Sequence, residues 1–185
     1  MCDFSDLYKI EDLRNSHGKE IPTEQGVYKW WCCKELLWEI LKKLNKPFDD
    51  VKDVLETKDN RYCFYVGQTK NNKGLRKRIK GQHLSKSSKP STLRRSMESL
   101  FGDEIDNKLN TCYVQWVVLN KTQIDDIENK LINGEFIRVL NIKGVKREGI
   151  KSELVDTLQK LRKEKFNKEQ TKDGKEKKKS VSCNK

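Results

Sequence analysis

YCFYVGQTKNNKGLRKRIKGQH, residues 62–83, changes its hydrophobic period halfway along, and that change decides how the chain is read. The first half alternates as a strand does. Phe64 and Val66 are expected on one face, and Cys63 and Tyr65 on the other. Gly67 ends the apolar run, and a polar loop with Lys70 and Lys73 follows. From Leu75 the spacing becomes helical. Leu75 and Ile79 sit one turn apart, and Arg76, Lys77, Arg78 and Lys80 cover the rest of the cylinder. Residues 60–97 contain no Asp or Glu, although the chain has 28 acids elsewhere. An aromatic strand that hands over to a basic helix in an acid-free stretch is the footprint of a surface built for a polyanion such as nucleic acid.

Two further strands are expected. GVYKWWCC, residues 26–33, follows a turn signal and is rich in aromatic and β-branched residues, with Tyr28, Trp30 and Cys32 on one face. TCYVQWVVL, residues 111–119, is almost wholly apolar, which points to a central strand covered on both faces. Helices are expected over 34–44, 93–101 and 123–133. Leu37, Ile40, Leu41 and Leu44 mark the inward face of the first, and Ile124, Ile127, Leu131 and Ile132 that of the last. The fold class is therefore α/β: a small, mainly antiparallel three-stranded sheet flanked by helices. The expected organisation is a leader over 1–24 with a short helix or turn at 6–14, and a main domain over 25–145 with a helical insertion at about 34–60. A C-terminal helix over 146–167 and a basic tail over 168–185, whose composition predicts disorder, complete it.

The chain carries a net charge of +12 on 185 residues, and 37% of its residues are charged. Residues 160–185 hold eleven Lys and Arg against four acids, so +7 of the total lies in the tail and +5 elsewhere. No apolar run approaches the ~20 residues that span a bilayer, and the acidic N-terminus has no signal-peptide core. These features point to the cytoplasm and away from a membrane. Six cysteines form no CxxC or CxxH pair. They read as reduced, half-buried residues, with a zinc site assembled across strands as the alternative.

GVY at 26–28, YVG at 65–67, LRKRI at 75–79, ExxLI at Glu128 to Ile132 and Asn141 together resemble the GIY-YIG nuclease family. The resemblance spans roughly residues 25–142. It implies Mg²⁺-dependent (or Mn²⁺-dependent) endonucleolytic cleavage of DNA, of restriction, homing or repair type, that leaves a 5′-phosphate and a 3′-hydroxyl. Tyr28 would position or deprotonate the attacking water, with Tyr65 hydrogen-bonding nearby. Arg78 would grip the phosphate, Glu128 would hold the metal, Asn141 would brace the site, and His83 would contact phosphate or assist the water. Lys70, Lys73, Arg76, Lys77, Lys80, Lys86, Arg94 and Arg95 are the expected DNA-binding residues, acting through backbone phosphates. A possible homodimer follows from the small size and single site.

The chain departs from the family pattern in three places. Tyr28 and Tyr65 lie 37 positions apart, so the insertion must leave the sheet and return. Family members often carry His or Tyr four residues after the helix Arg. Here Gln82 is four after Arg78 and His83 five after, with Gly81 as a point where the helix could distort. Arg76 is a rival to Arg78 for the phosphate. Two other functions stay open at this level: a non-catalytic nucleic-acid-binding module on the same fold, and an interaction protein whose lysine tail binds acidic partners. Trp30, Trp31 and Trp38 read as core, with base stacking as the alternative.

Overall fold

The computed structural model describes residues 3–85 and 91–182, with side chains as far as residue 167. Three long strands match the expected ones: β2 (Gly26–Cys32), β4 (Arg61–Thr69) and β5 (Tyr113–Val118). Two further strands of two residues each, β1 (Tyr8–Lys9) and β3 (Thr57–Lys58), make the sheet five-stranded rather than three-stranded. Two residues carry no period-2 signal, so such edges are invisible to periodicity. The sheet is antiparallel throughout, in the order β1-β5-β2-β4-β3. The centre is therefore β2 rather than the strand at 111–119. All seven β2 residues are buried, whereas β5 ends in an exposed Val118. The short β3 reaches β4 through a tight turn in which Asp59 and Asn60 take φ of 49° and 57°. This left-handed pair suits a hairpin's twist.

The strand that opens the 62–83 stretch breaks its own alternation. Trp30 pairs with Tyr65 and Trp31 with Cys63, so Phe64 is an extra residue on β4. This is a β-bulge. Phe64 and Tyr65 consequently share one hydrophobic cluster, and Cys63 and Val66 share the other. The expected pairing of Phe64 with Val66 on one face is thus corrected.

The two clusters are the two faces of the sheet. One holds Val27, Trp31, Cys63 and Val66 under Ile124 and Ile132 of α6 (Lys121–Asn133). The other holds Tyr28, Trp30, Phe64 and Tyr65 under several helices: α1 (Ile10–Asn15), α2 (Lys34–Lys43), α3 (Gly74–Arg78), α4 (Thr92–Phe101), α5 (Ile105–Asn110) and the start of α7 (Gly149–Ser182). The insertion between the tyrosine strands is therefore a packing layer, with Leu36, Leu37, Ile40 and Leu41 buried. Trp30 and Trp31 are core, whereas Trp38 is 54% exposed beside Phe48. Helix α1 starts at Ile10 because Tyr8 and Lys9 are drawn into the sheet by β5. α7 extends past the expected helix end into the lysine-rich tail; residues 183–185 lie outside the described residues. Among the described residues no helix is long and apolar enough to cross a membrane.

Loop residues close the outer edge of β4. β3 pairs only with Arg61 and Tyr62, so the backbone from Phe64 onward needs other partners. Leu140 N–H donates to Phe64 O at 3.0 Å. The Asn141 amide mimics a strand residue: its Oδ1 accepts from Val66 N at 2.8 Å, and its Nδ2 donates to Val66 O at 2.8 Å.

Gly67 follows directly and faces Tyr28 across the ladder. A Cβ at Gly67 would lie 2.4 Å from Tyr28 Oη and 2.6 Å from Cζ, so only glycine lets the phenol lie across the strand. Gly67→Ala is predicted to lower stability by about 1–3 kcal/mol through overpacking. Urea denaturation reads this as a lower midpoint; an unchanged midpoint would mean that the ring is free to move aside.

Candidate active site

Tyr28 lies in the middle of β2 with no exposed surface, so its hydroxyl must find partners inside the protein. It finds them on the 62–83 segment. Tyr28 Oη accepts from Arg78 Nε at 3.1 Å and lies 2.8 Å from His83 Nε2. His83 is fully buried and also meets the rings of Tyr28, Trp30 and Tyr65 edge-on, at centroid distances of 5.3, 5.5 and 6.1 Å.

The basic helix places both residues by changing its own geometry. α3 ends at Arg78, and a single π turn, Ile79–His83, follows with Gly81 inside it. Leu84 N donates to Ile79 O at 3.2 Å, a step of five residues rather than four. The extra residue per turn swings His83 round to Tyr28. Gln82, four residues after Arg78, stays on the arginine's side and accepts from Arg78 Nη1. Of the two candidates for that position, Gln82 therefore meets the guanidinium and His83 meets the phenol.

The π turn is held from outside. Ser91 caps α4 by accepting from Arg94 N at 3.1 Å, and its Oγ lies 2.5 Å from His83 Nδ1. Arg94 Nη1 donates to His83 O at 3.2 Å. Arg94 was expected on the DNA-facing surface, but it is 1% exposed and paired with Glu98 at 3.0 Å and Asp106 at 3.2 Å. It is an internal clamp, because a guanidinium buried among carboxylates has no route to a phosphate.

A cavity of about 240 Å³ opens beside this cluster, walled by Tyr65, Gly67, Gln68, Arg78, Glu128 and Asn141. Tyr28 is one layer behind that wall. A second cavity of about 290 Å³ shares Gln68 and Arg78 and is lined by Lys70, Lys73 and Lys77. The structure thus brings together Tyr28, Tyr65, Arg78, His83, Glu128 and Asn141. Arg76 is spent elsewhere: its Nε donates to Ile21 O at 2.8 Å and its Nη2 to Lys19 O at 3.0 Å. Lys80 donates to His17 O at 2.8 Å, and Lys70 pairs with Asp125. Arg95 is exposed, and Lys86 lies outside the described residues.

Gln68 had no role in the sequence reading, and Ser91 and Thr92 stood there only within SKSSKPSTLRR, residues 85–95, a stretch expected to contact backbone phosphates; Thr92 lies in the cavity wall. Gln68 directly follows YVG, and Ser91 ends the connector read at 85–91, just before the 93–101 stripe, so their positions were visible and their partners were not.

Electrostatics separate the groups. Burial pushes the Tyr28 phenol up to about 12, against the pull of the Arg78 cation. Tyr65 rises well above the usual phenol value through burial and the neighbouring Tyr28. Burial, with Arg78 close by, holds His83 well below the usual imidazole value, so it is neutral. Burial raises Glu128, while Gln68 as a hydrogen-bond partner lowers it.

The oxygen donors in the wall suit a hard divalent cation. Glu128 is partly buried, and next to it Gln68 Oε1 is buried without a partner while Gln68 Nε2 donates to Asp125 at 2.9 Å. Among the described residues no cluster of three or more His, Cys, Asp or Glu could hold a metal alone. A cation here would complete its shell with water and substrate oxygens.

His83 also makes stability depend on pH. A group kept neutral in the fold but free to protonate at ~6.5 when unfolded favours the unfolded chain as pH falls below that value. Stability should therefore drop from about pH 6.5 downward, by at most ~1.4 kcal/mol per unit. Urea titrations at pH 7.5 and 5.5 should show this drop in the wild type and a smaller one in His83→Asn; equal drops would place the proton elsewhere.

A family model for the GIY-YIG catalytic domain matches residues 26–164. No curated protein and no solved structure matches the chain. The matched span begins at β2 and takes in every residue that converges on Tyr28, together with Glu128 and Asn141. The chain belongs to the GIY-YIG catalytic-domain family.

Proposed function

We propose that this protein is a divalent-metal-dependent endonuclease that hydrolyses DNA phosphodiester bonds, leaving a 5′-phosphate and a 3′-hydroxyl. The observation that carries this reading is the convergence of Arg78 and His83 on one buried phenol, beside a cavity walled by a lone carboxylate. Packing alone does not ask for that set, since each buried polar group costs free energy to desolvate.

In this reading Arg78 binds a phosphate oxygen through its Nη groups, and its forked geometry orients the phosphorus. Tyr28, whose loss of a proton the Arg78 cation favours against burial, takes up as phenolate a proton that the attacking water gives through the Tyr65 hydroxyl. The water oxygen bonds to phosphorus, the P–O3′ bond breaks, and the departing 3′-oxygen takes a proton from solvent. Tyr65, which lies beside Tyr28 and reaches the cavity wall, links the buried phenol to that water. Asn141 holds the backbone between Tyr65 and Gly67 in register. Mg²⁺ or Mn²⁺ held by Glu128, with the Gln68 amide oxygen beside it, would neutralise charge on the phosphate when bound. The cavity lined by Lys70, Lys73 and Lys77 adjoins the site through Arg78 and takes a neighbouring phosphate of the same strand. Such contacts add salt-sensitive affinity.

The test is cleavage of supercoiled plasmid and branched DNA with Mg²⁺ by the wild type, Glu128→Ala and Arg78→Ala. The wild type should cut, and each variant should lose about 100-fold or more in rate, with DNA binding kept by Glu128→Ala. Discrete fragments would indicate a restriction or homing role, and cutting confined to branched DNA a repair role. Tight binding by the wild type without metal-dependent cutting on any of these substrates would overturn the reading in favour of a binding module.

A further inference from the structure

Ser91 stands outside the set of residues that the family resemblance marked, yet it makes the closest contact to His83 in the site. Its Oγ lies 2.5 Å from Nδ1, while the other ring nitrogen meets Tyr28 Oη at 2.8 Å. A neutral imidazole carries one N–H, so whichever group donates at Nδ1 decides whether Nε2 gives or takes a proton at Tyr28.

Hydrogen-bond accounting at Ser91 points to the direction. Ser91 Oγ already accepts from Arg94 N at 3.1 Å. The Ser91 hydroxyl is 3% exposed, so its own proton needs an acceptor inside the protein. Among the described residues the acceptor within reach is His83 Nδ1. Ser91 donating to Nδ1 leaves the ring proton on Nε2, aimed at Tyr28 Oη, and the proton of the equally buried phenol then turns to the Tyr65 side. That oxygen also accepts from Arg78 Nε at 3.1 Å.

We propose that Ser91 is a positioning residue that fixes His83 as its Nε2–H tautomer, so that the Tyr28 oxygen receives two N–H donors. Two donors on one oxygen favour its anionic form. His83 in this arrangement stabilises the phenolate instead of removing the proton, and burial of the imidazole keeps it from becoming a cation that would compete with Arg78. The charged and titratable groups that face the pair come from every packed element. They are Arg78 from α3, Tyr65 from β4 and Glu128 from α6, with Arg162 of α7 toward Tyr65. Arg94 meets His83 only at its backbone carbonyl.

The rate consequence rests on the nuclease reading, and the tautomer does not. The chain has two histidines, so ¹⁵N-resolved NMR of the imidazoles reads His83 directly. The wild type and Ser91→Thr, which keeps the hydroxyl, should show protonated Nε2 and bare Nδ1. A wild-type spectrum with the proton on Nδ1 overturns the proposal whether or not the protein cuts DNA. In cleavage assays Ser91→Ala should lose about tenfold in rate at pH 7.5, the worth of one hydrogen bond. The loss should shrink as pH rises, and Ser91→Thr should restore the wild-type profile. A residue that served only as a helix cap would lower the denaturation midpoint and leave the pH–rate profile where it was; that result also overturns the proposal. Absence of cleavage by the wild type would count against the nuclease reading alone.

Discussion

One buried hydroxyl constrains the rest of this molecule. The Tyr28 oxygen has no access to water, and an unsatisfied phenol in that position would cost about 1–3 kcal/mol. The surrounding chain meets that demand with a cation on one side and a neutral imidazole on the other. Both come from one short segment, and they reach the same atom only because the helix carrying them adds a residue to a turn. Gly67 leaves the space the ring occupies, and the Asn141 amide completes the edge of the strand next to it. The elements nearest the site are thus fitted to a single polar group more than to each other.

This arrangement also accounts for the layering. Six helices crowd onto the face that carries Tyr28, and one covers the opposite face. A thick layer removes Tyr28, Tyr65 and His83 from water, shifts their proton affinities apart and strengthens every interaction among them. Arg94 ties that layer to the site. It is buried, neutralised by Glu98 and Asp106, and bonded to the carbonyl of His83, so α4 and the π turn are locked as one unit. The insertion between the two tyrosine strands thickens the same layer through α2.

The long elements were legible in the sequence because each carries a full period: β2, β4 and β5 by composition, α2, α4 and α6 by their apolar stripes. Tyr28, Tyr65, Arg78, Glu128 and Asn141, which gather at the candidate site, could be singled out because their strings stand in a family order. What escaped was set by tertiary demands. The bulge at Phe64 inverts a face without altering the local pattern, and β1 and β3 are too short to show one. Arg94 looked like a surface cation because nothing in a basic run announces that distant acids will bury it. The choice between Gln82 and His83 hung on Gly81, and only the hydrogen bond from Leu84 N to Ile79 O decides it. Ser91 read as the end of a connector, and its contact with Nδ1 depends on where the π turn puts His83.

The central claim is that the Tyr28 hydroxyl is the base on which cleavage depends. Tyr28→Phe removes that one oxygen and keeps the ring against Gly67. Metal-dependent DNA cleavage by this variant, measured beside its DNA affinity and its unfolding midpoint, is the most direct test. Loss of cleavage by about 100-fold or more, with affinity kept and the fold intact, is the predicted result. Cleavage near the wild-type rate would contradict the account and leave the buried hydroxyl with a structural role only.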